Sequence, residues 1–288
     1  MRIGFAGLGL MGVEMAKHLI KAGHELWIIA HRNRVPIEAL KALGAHEAHD
    51  LGEMARNSDL ILLCLTTATV VEETVAKLMP HLRYGQIVVD TGTTAPSTTR
   101  KLARELQARG VAYADAPMSG GPEQVAKSEA GALIGANDAT FAAIRPIIAT
   151  YANRIKHFGP PGSGHVAKLI SNYLVTGMIA LVAESFTAAR AAHVDWRDLY
   201  EVAQAGSGNS GVLRKMMDAA LAGDFDGYKF SIANAAKDIG YYSELAESLD
   251  MLTPLAEAVR DTFADAVKTG HGGRNVSHLL DPALDEVT

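Results

Sequence analysis

Cysteine, aromatic residues and positive charge are all scarce in this 288-residue chain, and each shortage narrows what it can be. A single cysteine, Cys64, allows no internal disulfide and none of the paired spacings of a cysteine zinc site. It falls in the apolar run 60–65, where a buried thiol is inert rather than nucleophilic. Lys and Arg number 27 against 32 Asp and Glu, a formal net charge of −5, so the cationic field of a nucleic-acid-binding surface is missing. Any small anion must then be met by a local positive site. An uninterrupted apolar run of membrane length is missing too. The longest candidate, 166–183, contains Lys168, Ser171, Asn172 and Thr176 and is followed by Glu184. It reads as a buried helix, with no membrane span expected. The chain enters a strand-like run directly after Met1, which predicts no signal peptide and a cytoplasmic location.

What is present supports a large core: 48% hydrophobic and 20% charged residues, in a chain long enough for two domains. Apolar runs at 2–6, 25–30, 59–65, 87–90 and 112–115 alternate with helical patterns near 11–22, 37–43, 70–79 and 97–109. Later strands are expected at 131–135 and 155–158. The alternation predicts an α/β domain, a doubly wound and mostly parallel sheet with helices on both faces. Beyond the Gly159-Pro160-Pro161-Gly162 turn, helical periodicity takes over without a convincing strand. The expected domains are therefore 1–160, α/β, and 161–288, all-α.

Gly7, Leu8, Gly9, Leu10, Met11 and Gly12 follow the first apolar run and open the first helical pattern. In a G-x-G-x-x-G turn of a Rossmann domain, the first glycine makes the tight turn. The second lets backbone approach a pyrophosphate, and the third allows close helix–sheet packing. The helix N-terminus then offers free N–H groups and a favourable dipole to the anion. A carboxylate about 20 residues further on would hold the ribose hydroxyls of NAD. This chain has Ala30-His31-Arg32-Asn33-Arg34 instead. Two guanidinium groups suit a 2′-phosphate, so NADP (NADPH) is expected, with NAD as the weaker alternative.

Five motifs together resemble the β-hydroxyacid dehydrogenase family, which includes 3-hydroxyisobutyrate dehydrogenases and tartronate semialdehyde or glyoxylate reductases. They are the glycine turn, Asp90-Thr91-Gly92-Thr93-Thr94-Ala95-Pro96, Asp115-Ala116-Pro117-Met118-Ser119-Gly120-Gly121, the run from Gly162-Ser163-Gly164 through Lys168 to Asn172, and Lys237-Asp238. The resemblance implies substrate binding by the Ser119 turn, cofactor contacts at Leu65, Thr66 and Thr93, and Lys237 beside both. It also implies a homodimer or homotetramer. The chain departs from the family pattern at Gly92 and Ser171, where serine and asparagine are usual, and in a stretch 122–130 longer than expected.

The chemistry also follows from the residues. Reduction of a carbonyl leaves charge on its oxygen, which needs a proton donor. Lys168 lies on an apolar helix where burial lowers an ammonium pKa toward the useful range, and Asn172 sits four residues on, on the same face. Ser119, Gly120 and Gly121 offer a hydroxyl and backbone amides that can cradle a small carboxylate. The expected function is hydride transfer between NADP(H) and a small β-hydroxyacid or its semialdehyde or keto form, with Lys168 as general acid/base. An imine reductase of the same fold is the first alternative, although such relatives usually carry aspartate or tyrosine at the lysine position. A non-catalytic NADP-binding sensor is the second. A 6-phosphogluconate-type decarboxylase is remote, because those chains are much longer. His46, His49, Asp50 and Glu53 have the composition of a metal cluster but sit in a polar connection, and no metal is expected.

Overall fold

The computed structural model describes residues 1–30 and 33–283, which divide into two compact units, Met1–Lys168 and Leu169–Thr288. In the first unit the chain runs β1 (Arg2–Ala6), α1 (Leu10–Lys21), β2 (Glu25–Ile29), α2 (Val35–Ala42), β3 (His46–Ala48), α3 (Leu51–Arg56), β4 (Leu60–Leu63) and α4 (Ala68–Leu78). It continues through β5 (Ile87–Asp90), α5 (Pro96–Gln107), β6 (Ala112–Asp115), β7 (Met118–Ser119), α6 (Pro122–Ala126), β8 (Ala130–Gly135), α7 (Asp138–Ile148) and β9 (Ala152–Gly159). The helix α8 (Ser163–Ala191) leads into the second unit.

Strands β3, β2, β1, β4, β5 and β6 are neighbours in that order and all parallel. Such a sheet buries both faces, and alternate residues serve different cores. Ile3, Phe5, Leu60 and Leu62 join one core with Met15 and Leu19 of α1. Ala6, Ile61, Leu63 and Val88 join the other with Val71 and Val75 of α4 and Leu102 and Leu106 of α5. All four residues of β4 are buried, which is why its run is continuously apolar.

Beyond β6 the sheet departs from the parallel pattern. β8 runs antiparallel to β6 and β7, and β9 parallel to β8. The connection from β7 to β8 holds only the five-residue α6 and its turns, too short for the crossover that a parallel neighbour needs. The long stretch 122–130 is thus a helical turn and a tight return, with Ser128 in the left-handed region at φ 57°. The polar connection at 46–53 is also structured. It forms β3 and α3, with Asp50, the N-cap of α3, accepting from the Glu53 N–H and Glu53 accepting from the His49 N–H. His46 stacks on Trp27.

The second unit contains the later turns of α8 with α9 (Trp196–Ala205), α10 (Gly211–Ala220), α11 (Ile232–Glu247) and α12 (Pro254–Lys268). Among the described residues no strand follows Gly159 apart from a single bridge between Ser231 and Asn275. Phe186, Met216, Met217, Ile239 and Phe263 are fully or nearly buried in its core, and α11 packs on α12. The Trp196 indole donates to the Phe186 carbonyl and meets the Phe186 ring edge-on. By length and composition alone α8 could cross a membrane, and 33% of its most apolar window is buried within the single chain. The helix is therefore less covered than its sequence implies. Ile170, Leu174 and Leu181 are exposed along one stripe.

Candidate active site

The carboxyl ends of β1, β4, β5 and β6 bring most of the sequence-predicted residues to one edge of the sheet. β1 delivers Gly7 to Gly12, β4 is followed by Leu65 and Thr66, β5 by Thr93, and β6 by the Ser119 turn. The strand order reverses at β1 and β4, and in open α/β sheets that reversal opens a crevice for ligands.

The glycine turn has three different requirements. A Cβ on Gly12 would lie 2.0 Å from the Gly7 carbonyl oxygen, and one on Gly7, at φ 102°, would lie 2.1 Å from that of Cys64. Both glycines are needed for the chain to close. A Cβ on Gly9 would meet nothing within 4 Å. Gly9 is the N-cap of α1, no side chain caps that helix, and its first turn carries no acid. An uncapped helix N-terminus beneath open space, at the strand-order reversal, fits a dinucleotide pyrophosphate.

Arg34 caps α2 with its backbone, while its guanidinium is held by two carboxylates, Glu47 at 2.6 Å and Glu38 at 2.5 Å. Arg34, with Lys41, holds the Glu47 carboxyl down at about 2, while Glu47 and Glu38 raise the Arg34 guanidinium. Arg32, the other expected phosphate ligand, lies outside the described residues.

Ser119, the last residue of β7, is half-buried, and Gly120, which follows it, is exposed. The Gly121 N–H donates to the Gln124 side chain at 2.8 Å, which caps α6. Gln124 is a residue that sequence reasoning missed. It stands three positions after an N-cap glycine, the usual place for a capping amide.

The first turn of α8 is anchored on the last residue of β6. The buried Asp115 carboxylate accepts from the Gly162 and His165 N–H groups, both at 2.6 Å. It fills a glycine cradle: a Cβ on Gly164 would lie 2.8 Å from Asp115 Oδ2 and 2.3 Å from the Leu133 carbonyl oxygen. Burial pushes the Asp115 carboxyl up, against the opposing pull of the His165 ring and the two backbone donors. His165 is itself fully buried, with Nε2 3.2 Å from the Gly92 carbonyl oxygen and Nδ1 2.7 Å from the Thr99 hydroxyl. A carbonyl can only accept, so in the neutral ring Nε2 carries the proton and Thr99 donates to Nδ1. Asp90 completes the network, accepting from the Gly92 N–H and the Thr94 hydroxyl. At Gly92 itself, a Cβ would stand 2.7 Å from the Leu65 carbonyl oxygen, so a side chain here would require the neighbouring backbone to shift. Neither Asp115 nor His165 was marked as functional from sequence, although both lie inside the quoted motifs.

Lys168, half-buried, follows His165 by about one turn, and Asn172 by about two. In the second unit the Asn172 side-chain amide donates to Asp238 Oδ2 at 2.5 Å, and Lys237 Nζ lies 2.9 Å from Asp238 Oδ1. Asp238 is 4% exposed. As an acceptor it fixes which way the Asn172 amide faces, while its other carboxylate oxygen pairs with Lys237.

Comparison with known proteins agrees with this arrangement. The family model for the NAD-binding domain of 6-phosphogluconate dehydrogenase matches residues 2–159. The model for the NAD-binding region of NADP-dependent 3-hydroxyisobutyrate dehydrogenase matches residues 162–283. An NAD-dependent L-serine dehydrogenase of Pseudomonas aeruginosa is 29% identical over 98% of both chains. A 2-(hydroxymethyl)glutarate dehydrogenase of Eubacterium barkeri is 28% identical over 97% of this chain and 93% of its own. The crystal structure of a 3-hydroxyisobutyrate dehydrogenase from Salmonella typhimurium superposes with a TM-score of 0.87 at 26% identity, covering 97% of this chain and 99% of that one. The sheet, the glycine turn and the two family matches lead to one conclusion: this chain belongs to the β-hydroxyacid dehydrogenase family of nicotinamide-dependent oxidoreductases.

Proposed function

We propose that the protein interconverts a small β-hydroxyacid and its semialdehyde or keto form with NADP(H), using Lys168 as general acid/base. In this reading residues 1–160 are the NADP-binding domain, and 161–288 the substrate and oligomerisation domain. A bound nicotinamide supplies or accepts hydride; the chain does the rest. Leu8, Leu10 and Met11 flank the phosphate turn, and Leu65, Thr66 and Thr93 line the cofactor along the strand ends. Ser119, Gly120 and Gly121 hold the substrate carboxylate. Lys168 delivers a proton to the carbonyl oxygen on reduction and removes it on oxidation, while Asn172 orients the same oxygen. The observation that carries the reading is the anchoring of α8. Asp115 and His165 tie its first turn to the ends of β5 and β6, so that Lys168 begins one turn from the edge where the cofactor residues gather. Lysine at this position also favours carbonyl over imine chemistry. The exposed stripe of Ile170, Leu174 and Leu181 supports a homodimer or homotetramer through α8.

The test is oxidation of NADPH and NADH, followed by absorbance, against small semialdehydes, keto acids and amine–ketone mixtures. Turnover of an acid-bearing carbonyl with NADPH supports the proposal; turnover of amine–ketone mixtures alone overturns it. Two variants probe the parts. Gly9→Ala adds a methyl into open space, so stability changes by no more than about 1 kcal/mol. Calorimetric titration should nonetheless show NADPH binding at least about tenfold weaker, because the backbone can no longer approach the pyrophosphate. Asp238→Asn replaces the acceptor that fixes Asn172 and breaks the pair with Lys237. Steady-state kinetics should show kcat/KM for the acid falling about tenfold, with the fold intact by circular dichroism.

A further inference from the structure

The guanidinium expected to meet the 2′-phosphate of NADP already has a bidentate partner. Arg34 Nη1 and Nη2 lie 2.6 and 3.1 Å from the two carboxylate oxygens of Glu47, and Nη2 also reaches Glu38 Oε1 at 2.5 Å. Lys41 closes the group, 3.0 Å from Glu47 and 3.4 Å from Glu38. Two cations and two carboxylates therefore cancel, and this group has no net positive charge. Glu47 is the more sheltered acid, its side chain 22% exposed against 57% for Glu38. It is also fixed in place by backbone. It sits on β3 opposite Ile28 of β2, the strand that leads into the Arg34 loop.

A carboxylate and a phosphate present similar paired oxygens to a guanidinium fork, so they compete for one site. We infer that Glu47 is a specificity-determining residue for the cofactor: it occupies Arg34 in place of the 2′-phosphate and so narrows the preference for NADP over NAD. This rests on the reading of the Arg34 loop as the 2′-phosphate site. Binding of NADP requires Arg34 to turn from Glu47 to the phosphate. Binding of NAD leaves the network as it stands. The outcome is a chain that accepts both dinucleotides, with Glu47 setting the ratio. Glu38 contributes less, because it holds a single guanidinium nitrogen from a more exposed position.

The test is calorimetric titration of the full chain with adenosine 2′,5′-bisphosphate and with 5′-AMP, which differ only in the 2′-phosphate. Glu47→Gln keeps the size of the side chain and removes its charge. It should tighten the bisphosphate about five- to tenfold and leave 5′-AMP unchanged within twofold, with a smaller gain in Glu38→Gln. Arg34→Ala should weaken the bisphosphate and abolish the gain when combined with Glu47→Gln. If Arg34→Ala weakens the bisphosphate but Glu47→Gln does not tighten it, the role of Glu47 is wrong and the phosphate site stands. If Arg34→Ala leaves both probes unchanged, the reading of the loop as a 2′-phosphate site is wrong, and the inference falls with it.

Discussion

Lys168→Ala lowers kcat by about 10²–10⁴-fold, the usual contribution of a positioned general acid or base, while leaving the dissociation constant for NADPH within about twofold. The split is what distinguishes chemistry from scaffolding. Lys168 is half-buried on the second turn of α8, and the anchors of that helix, Asp115 and His165, are untouched by the substitution. The helix therefore stays in register and the phosphate turn, on α1, does not change. In the proposed reaction, removing the amine takes away the proton that must reach the carbonyl oxygen as hydride arrives. Rapid-mixing kinetics with a saturating acid, compared with a calorimetric cofactor titration, would check both halves. A loss of NADPH binding in parallel with kcat would mean that the lysine serves the cofactor, and the proton would need another source.

Gly164→Ala has a large expected effect on stability. Its Cβ would be placed 2.3 Å from the Leu133 carbonyl oxygen and 2.8 Å from Asp115 Oδ2, and neither neighbour is the free end of a flexible side chain. Relief requires moving α8 away from β8 and stretching the bonds from Gly162 and His165 to Asp115. Overpacking of this kind costs about 3 kcal/mol, which lowers the midpoint of thermal unfolding by roughly 6–12 °C for a unit of this size. Activity should fall with it, because the same displacement moves Lys168. Gly177 is the matched control. It lies in the middle of the same helix, a Cβ there would meet nothing within 4 Å, and alanine should raise stability by about 0.5–1 kcal/mol. Differential scanning calorimetry on the two variants should give shifts of opposite sign. Equal destabilisation by both would show that α8 is not docked as described.

Features set by local sequence were the ones a reader of the chain could see. The continuous apolar runs of β1, β4 and β5 announce a parallel sheet because both faces are buried. The glycine turn is legible because its three glycines are required within a single strand–turn–helix unit. What tertiary contact creates is less legible. Asp115 reads as the end of a strand until α8, 47 residues on, folds its N-terminus around the carboxylate. Glu47 and Arg34 are 13 residues apart, and nothing local says that β3 will set the carboxylate beside the arginine. β3 itself is three residues of polar pattern, too short to show a period. The antiparallel turn of β8 depends on the short β7–α6 connection rather than on the composition of the strand. Other signals were present but read by composition alone. Asp50 and Glu53 have the spacing of a helix N-cap and its third residue, and both bond to backbone at the start of α3. Gln124, three residues after Gly121, follows the same rule.

The most direct test of the central claim is to follow the transferred atom. The purified protein would be given NADPH carrying deuterium at the transferable position of the nicotinamide, together with a small semialdehyde acid, and the product analysed by mass spectrometry. The account predicts one deuterium on the carbon that bore the carbonyl, in wild type and not in Lys168→Ala over the same time. Unlabelled hydroxyacid, or label appearing only in an amine when an amine is added, would contradict it.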